Sequence, residues 1–171
     1  MTYDELQKTD LFSFFHFTES GRKRTGSGMY EVYFKPGGFQ EFIDVMMSID
    51  NSQVVHQGVL YLDRDWIGSA MTVSPFGKDL AKSFIAAVTP DTDKPKADRI
   101  VSTIWNLQGS QDRVVTSTPQ EASKHIPIED LEQVYLGLKD KFEMTFDECC
   151  IKIENVQDVG RKRLKISVEE I

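Results

Sequence analysis

The chain has 171 residues, of which 40% are hydrophobic and 27% are charged, and its formal net charge is −7. This length and composition are typical of one globular domain, here residues 1–171, and they exclude an intrinsically disordered chain. The negative net charge argues against binding to duplex nucleic acid or to an anionic membrane surface.

The first 35 residues predict a short helix and then a β-hairpin. Thr2 and Glu5 have the spacing of a capping box, which favours a helix at the N-terminus. Residues 11–17 are rich in phenylalanine and suit a strand that is covered on both faces, either by the core or by a homodimer partner. Residues 18–28 are polar and glycine-rich, as in a turn, and residues 29–35 alternate apolar and polar side chains.

The middle of the chain predicts helix, strand and helix. Apolar residues recur at helical spacing over residues 39–49, after a break at Pro36. Residues 54–62 are an apolar run that predicts a central strand. Residues 74–88 follow as a helix, because Ser74 is a favourable N-cap and a proline occupies the first helical position.

The second half adds two helices and a closing hairpin. Apolar spacing predicts a helix over residues 97–105, and residues 113–117 are a candidate short strand. A further helix is predicted over residues 127–141, with acidic residues in its first turn and lysines in its last. Residues 151–156 and 164–168 alternate in the manner of a β-hairpin.

The order of these elements is ββαβααβαββ, which lacks the regular alternation of a doubly wound parallel sheet. We therefore expect an α+β fold with a mainly antiparallel sheet, two β-hairpins and about four helices. No apolar run is long enough to span a membrane, and no secretory signal is visible. The neighbouring Cys149 and Cys150 suit two reduced thiols in a cytoplasmic protein better than a disulfide or a metal site.

A repeated basic tetrapeptide is the first candidate for a binding site. Gly-Arg-Lys-Arg occurs twice, in two predicted hairpin turns. Arginine side chains bind phosphate or carboxylate through paired hydrogen bonds, so the two turns would form an anion site if they lay at the same end of one sheet. The ligand-binding residues of this hypothesis are Arg22, Lys23, Arg24, Arg161, Lys162 and Arg163. The alternative is that both turns are simply solvated.

The acidic corner after the central strand is the second candidate. The apolar strand that runs into Asp63-Arg64-Asp65-Trp66-Ile67 resembles the first motif of the haloacid-dehalogenase phosphohydrolases. The resemblance implies that Asp63 is a nucleophile and that Asp63 and Asp65 help to hold magnesium. It covers about ten residues, and the chain departs from the family elsewhere, because it has no later Gly-Asp-x-x-x-Asp run and a different strand order.

Two other patterns are weaker. Residues 68–78 end in Gly-Lys near a helix start, but their spacing is not that of a phosphate-binding loop, which leaves an anion site on free amides as the remaining interpretation. His16, His56 and His125 have no sequence neighbours that would complete a triad or a metal pair.

Together these patterns predict a non-enzymatic cytoplasmic domain, without cofactor or metal. It would bind a protein partner or a small anionic ligand through the basic turns, as a monomer or a homodimer. The alternative is a magnesium-dependent phosphohydrolase that uses Asp63 and Asp65.

Overall fold

The computed structural model describes residues 1–69, 71–107 and 127–171, and these residues form one seven-stranded antiparallel sheet with helices. Its strands are β1 (Thr18–Gly26), β2 (Met29–Lys35), β3 (Ile43–Asp50), β4 (Val55–Asp63), β5 (Lys141–Thr145), β6 (Cys149–Asp158) and β7 (Arg161–Glu170). They are arranged in the order β1-β2-β3-β4-β7-β6-β5. The predicted α+β class with a mainly antiparallel sheet is confirmed.

The described residues contain six helices, somewhat more than the four that the sequence predicts. They are α1 (Tyr3–Gln7), α2 (Asp10–Phe15), α3 (Arg64–Ile67), α4 (Pro75–Val88), α5 (Lys94–Trp105) and α6 (Ile128–Tyr135). Within the part of the chain that the structure describes, no helix is long and apolar enough to cross a membrane.

The core lies between the helices and one face of the sheet. Along β3, Ile43, Val45, Met47 and Ile49 are buried while the residues between them are partly accessible. Gly58 of β4 lets α4 approach this face, because a Cβ at that position would come within 3.2 Å of side-chain atoms of Val88, Met47 and Phe84. The helical layer therefore packs directly on the middle of the sheet.

Several local predictions are confirmed. Helix α4 begins at Pro75, and the Ser74 hydroxyl accepts a hydrogen bond from the amide of Gly77. Thr2 and Glu5 form the expected capping box. Leu60 and Leu62 are fully buried on the central strand β4.

The predicted secondary structure of residues 11–28 is wrong. The aromatic run that suits a strand is helix α2, which ends where His16 adopts a left-handed conformation with φ 55°. The polar run that suits a turn is the exposed edge strand β1. Edge strands tolerate charged residues and glycine because they have no neighbouring strand on one side. For this reason the sequence of β1 resembles that of a turn.

The helix predicted over residues 39–49 is also wrong, since most of this segment is β3. Its side chains alternate strictly between buried and half-buried, which is the period of a strand. Phe39, Phe42, Met46 and Ile49 happen to have helical spacing as well. The period-two pattern prevails because β3 pairs with β2 on one side and β4 on the other.

In the C-terminal part, helix α6 is shorter than predicted and β5 was not foreseen. Gly137 has φ 84°, and the amide of Leu138 donates to the carbonyl of Gln133, which closes the helix after Tyr135. The lysine-rich residues that follow belong to the turn and to β5. The two closing strands are confirmed as β6 and β7. The candidate strand 113–117 lies outside the described residues.

Candidate functional site

The two basic runs lie far apart. The β1–β2 turn is at the end of the sheet where Met29 pairs with Asp50, whereas the β6–β7 turn is at the opposite end, near the pair of Asp63 and Arg163. Arg22 belongs to the same cross-strand row as Val32, Met47, Gly58 and Val168. Arg22 is thus four strands away from Arg163 across the sheet, which is roughly 19 Å, and five residues away along the strand direction, which is roughly 17 Å. The expected convergence of Arg22, Lys23 and Arg24 with Arg161, Lys162 and Arg163 is wrong.

Three of these arginines already have acidic partners. Arg22 pairs with Glu19 at 3.0 Å. Arg161 pairs with Asp63 at 3.1 Å and also donates to the carbonyl of Glu41. Arg163 bridges Asp44 and Asp158, and its guanidinium lies 4.1 Å from the centre of the Tyr61 ring. Lys23, Arg24 and Lys162 are exposed. One basic run belongs to the β1–β2 hairpin and the other to the β6–β7 hairpin, and strands β3 and β4 lie between these hairpins in the sheet.

Asp63 has a structural role at the end of β4. Its Oδ1 accepts hydrogen bonds from the amides of Asp65 and Trp66, which makes Asp63 the N-cap of α3, and its Oδ2 accepts from Arg161. Among the described residues, no group of three or more His, Cys, Asp or Glu side chains could hold a metal ion. In the described part of the chain, the resemblance of this corner to the haloacid-dehalogenase motif is thus not accompanied by such a metal-binding group.

A groove lies beside this corner. Its volume is about 490 Å³, and it is lined by α3, by the segment that leads to α4 and by the residues after α6. Arg64, Asp65 and Trp66 form one wall, Ser69, Thr72 and Ser74 supply hydroxyl groups, and Leu136 and Gly137 close the other side. We call it the Arg64 groove.

Arg64 joins the two sides of this groove. Its Nη2 donates to the carbonyl oxygens of Gly68 and Tyr135, both at 2.7 Å, and its Nη1 donates to Asn155 Oδ1 at 2.9 Å. Burial lowers the pKa of the guanidinium, which nevertheless stays charged because its usual pKa is above 12. Three of the five N–H donors of Arg64 are used, and the other two have no hydrogen-bond partner among the described residues.

The loop between α3 and α4 depends on a glycine. Gly68 has φ 87°, and a Cβ there would lie 1.8 Å from the carbonyl oxygen of Thr72. The amide of Ser69 donates to this carbonyl, and the amide of Ser74 donates to the carbonyl of Ile67. This tight turn leaves the side chains of Ser69 and Thr72 exposed on the groove wall.

The lysine of the rejected phosphate-loop pattern has another role. Lys78 Nζ donates to the carbonyl oxygens of Trp105 and Leu107, at 3.1 and 2.7 Å, so that it caps the C-terminal end of α5. It lies on α4 but is not among the residues that line the Arg64 groove. The Gly77-Lys78 pair therefore does not place Lys78 in a phosphate site.

Of the three histidines, His56 has a defined chemical environment. Its Nδ1 contacts Glu170 at 2.6 Å and its Nε2 contacts Asp50 at 2.9 Å. The hydrogen bond with Asp50, followed by that with Glu170, raises the pKa of His56. A histidine held between two carboxylates stays protonated and has no free nitrogen for a general base. His16 is exposed at the end of α2, and His125 lies outside the described residues.

Cys149 and Cys150 are free thiols, and both are buried. Burial, reinforced by a hydrogen bond with Asp93, raises the pKa of Cys149 to about 12. The thiolate is the reactive form of cysteine, so burial and the raised pKa disfavour a nucleophilic role for Cys149.

Comparison with known proteins gives one partial similarity. The chain is 38% identical over 84 residues to the 3-deoxy-manno-octulosonate cytidylyltransferase of Francisella tularensis subsp. tularensis, strains FSC 198 and SCHU S4, and 37% identical to that of Francisella tularensis subsp. novicida, strain U112. The match covers 48% of this chain and 33% of each relative, so the chain matches about a third of the length of these proteins. No family model and no solved structure matches the chain.

This similarity overturns the functional prediction from the sequence. Its relatives are named as transferases, which are enzymes, so the expectation of a non-enzymatic binding domain is wrong. Of the residues that line the Arg64 groove, only Asp65 was predicted from the sequence as a candidate site residue. The signal in the sequence was the position of Arg64 directly after a buried strand, but its acceptors on α6 and β6 are distant in sequence.

Proposed function

We propose that the chain is a nucleotidyltransferase-type enzyme that binds a cytidine nucleotide and passes its cytidylyl group to a sugar acid. The observation that carries the proposal is the 38% identity over 84 residues with proteins named as 3-deoxy-manno-octulosonate cytidylyltransferases. The name of these relatives gives both the transferred group and the class of acceptor.

The Arg64 groove is the site to which we assign the triphosphate of this nucleotide. Arg64 supplies positive charge and two unused N–H donors, and charge-assisted hydrogen bonds to phosphate are among the strongest in proteins. Ser69 and Thr72 add exposed hydroxyl groups. Ser74 accepts from Gly77 as an N-cap, yet its hydroxyl hydrogen remains able to donate to a phosphate oxygen.

The proposed reaction exchanges one bond at the α-phosphorus for another. A hydroxyl oxygen of the acceptor attacks the α-phosphorus and loses its proton to solvent. The bond from that phosphorus to the bridging oxygen of the β-phosphate breaks, and its electron pair leaves with pyrophosphate. Donors such as Arg64 stabilise the negative charge that moves onto the leaving group. Asp65 is exposed on the same wall and is suited to contact the magnesium ion that accompanies a nucleoside triphosphate substrate.

We also propose a cytoplasmic location, where CTP is available. Two free buried thiols support a reducing compartment, because paired cysteines are the rule in oxidising ones.

The proposal is tested by titrating the chain with Mg·CTP and by measuring pyrophosphate release with CTP and a 3-deoxy sugar acid. Two variants add a carboxylate to a groove wall. Thr72→Glu places it in the Arg64 groove, whereas Ser83→Glu places it in the groove of about 680 Å³ between α2 and α4. Because like charges repel, we expect Thr72→Glu to weaken CTP binding roughly tenfold or more and Ser83→Glu to leave it unchanged.

Absence of CTP binding to the unaltered chain would overturn the proposed function. Equal loss of affinity in both variants would instead show that added negative charge acts at long range, and the Arg64 groove would no longer be the assigned site. Binding without pyrophosphate release would remove the transferase activity from this chain.

A further inference from the structure

Five aromatic rings gather at the end of the sheet where the Arg64 groove opens. The aromatic cluster consists of Phe15, Phe39, Phe42, Trp66 and Phe76. Trp66 is its centre, with ring centroids 5.4 Å from Phe39, 5.5 Å from Phe42 and 5.6 Å from Phe76. Trp66 also lines the Arg64 groove, so the aromatic cluster adjoins the groove through this one residue.

Phe39 is the accessible member of the aromatic cluster. Its side chain is 51% exposed, although its ring contacts both Trp66 and Phe76. Phe42, by contrast, stacks on Trp66 at an angle of 6° and covers one face of the indole. Phe39 therefore presents an exposed ring beside Trp66, which itself lines the groove.

The backbone holds Phe39 in an unusual conformation. Its φ is 56°, a value that bulky residues rarely adopt, although Gly37 and Gly38 directly before it could have taken that position more easily. Its carbonyl accepts from the amide of Phe42 at 3.0 Å. The Gln40 side chain also donates to the carbonyl of Pro36 at 2.9 Å, which closes the same turn. Strained residues of this kind concentrate at ligand sites.

We infer that Phe39 stacks on the pyrimidine base of the nucleotide whose phosphates occupy the Arg64 groove, with Trp66 beside it. This inference rests on the proposed function. Stacking of a base on an aromatic ring needs an exposed ring face and contributes a sequence-tolerant part of the affinity. The role of Phe39 is thus to bind the nucleoside, while the groove binds its phosphates.

The experiment separates the base from the phosphates by using two probes, Mg·CTP and magnesium tripolyphosphate. Phe39→Gly deletes the ring and suits the positive φ, Phe39→Trp keeps an aromatic face, and Phe14→Gly is the control at a phenylalanine that is 65% exposed on α2. We expect Phe39→Gly to weaken CTP binding roughly tenfold to hundredfold and to leave tripolyphosphate binding within about twofold. Phe39→Trp should keep the CTP affinity, and Phe14→Gly should not change it.

Each outcome has a distinct meaning. If neither probe binds the unaltered chain, the proposed function fails together with this inference. If CTP binds and Phe39→Gly does not weaken it, the inference is overturned while the proposed function stands. Equal weakening of both probes would show that Phe39 supports the groove wall and does not contact the base. As a second measurement, CTP should quench the fluorescence of Trp66 in a Trp105→Phe chain, and absence of quenching would also overturn the inference.

Discussion

The carboxylate of Asp93 accepts a hydrogen bond of 3.0 Å from the backbone amide of Cys149, which lies 56 residues later in the chain. The same carboxylate accepts from the amides of Asp147 and Glu148 at 3.2 and 2.8 Å, and Asp93 is fully buried. A single side chain at the start of α5 therefore holds the β5–β6 turn against the helical layer.

Asp93→Asn is expected to destabilise the protein by about 2 to 3 kcal/mol, because the amide group of asparagine would turn a donor towards amide donors. Burial alone would raise the pKa of Asp93, but the three amide hydrogen bonds outweigh it and lower the pKa below 3.8. The stabilisation is thus present above pH 3.8 and is lost as the pH falls through the lowered pKa. Urea unfolding of both proteins at neutral and acidic pH measures this, and a constant difference at all pH values would contradict it.

The central strand offers a test of the core. Leu60 of β4 is fully buried, between Val45 of β3 and Ile166 of β7. Leu60→Ala should lower the free energy of unfolding by roughly 2 to 5 kcal/mol through lost burial and a residual cavity. The matched control is Leu138→Ala, whose leucine is 61% exposed and should cost less than about 0.5 kcal/mol. Similar losses in the two variants would place the core elsewhere.

Local chemistry decided which elements were predictable from the sequence. The N-cap Ser74 and the capping box of Thr2 and Glu5 fix helix starts through neighbouring residues, and both were predicted correctly. Residues 39–49 fit two periods at once, and pairing of β3 with strands on both sides decided between them. Such pairing depends on residues outside the segment, so the pattern of the segment itself cannot reveal it.

The candidate site shows the same limit. The corner at Asp63 and Asp65 was recognised as chemically interesting, but the sequence does not tell that Asp63 serves as an N-cap. The Arg64 groove exists because the end of α6 meets α3, 71 residues away, through the carbonyl of Tyr135. Contacts of this range depend on how the helices pack on the sheet.

His56 provides a prediction about pH dependence. Its contacts with Asp50 and Glu170 raise its pKa above 6.5, so they contribute stability that is fully present below pH 6.5 and is lost as the pH rises through the raised pKa. We therefore expect His56→Gln to be destabilising at about pH 5.5 and nearly neutral at about pH 9. Urea unfolding at both pH values, with an NMR titration of the imidazole, measures the effect. A larger loss at the higher pH would refute the assigned ion pairs.

Unlike that of His56, the contribution of Arg64 to stability should not depend on pH, because a guanidinium does not titrate in the physiological range. Arg64→Lys keeps the charge but loses the planar fork that reaches Gly68, Tyr135 and Asn155 together. With acceptors left unpaired, we expect a loss of roughly 1 to 3 kcal/mol that is the same at about pH 5.5 and about pH 8. Arg24→Lys, at an exposed arginine of β1, is the control and should cost less than about 0.5 kcal/mol.

The Arg64 variant also links stability to the proposed site. If the guanidinium joins both walls of the groove, Arg64→Lys should weaken binding of magnesium tripolyphosphate even under conditions where the variant is fully folded. The walls lose their common anchor, and the phosphates lose the two N–H donors of Arg64 that have no partner among the described residues. Calorimetric titration at a temperature well below the unfolding midpoint measures this. For the stability prediction above, an Arg64→Lys protein with an unchanged free energy of unfolding would show that the hydrogen bonds to Gly68 and Tyr135 do not form in solution.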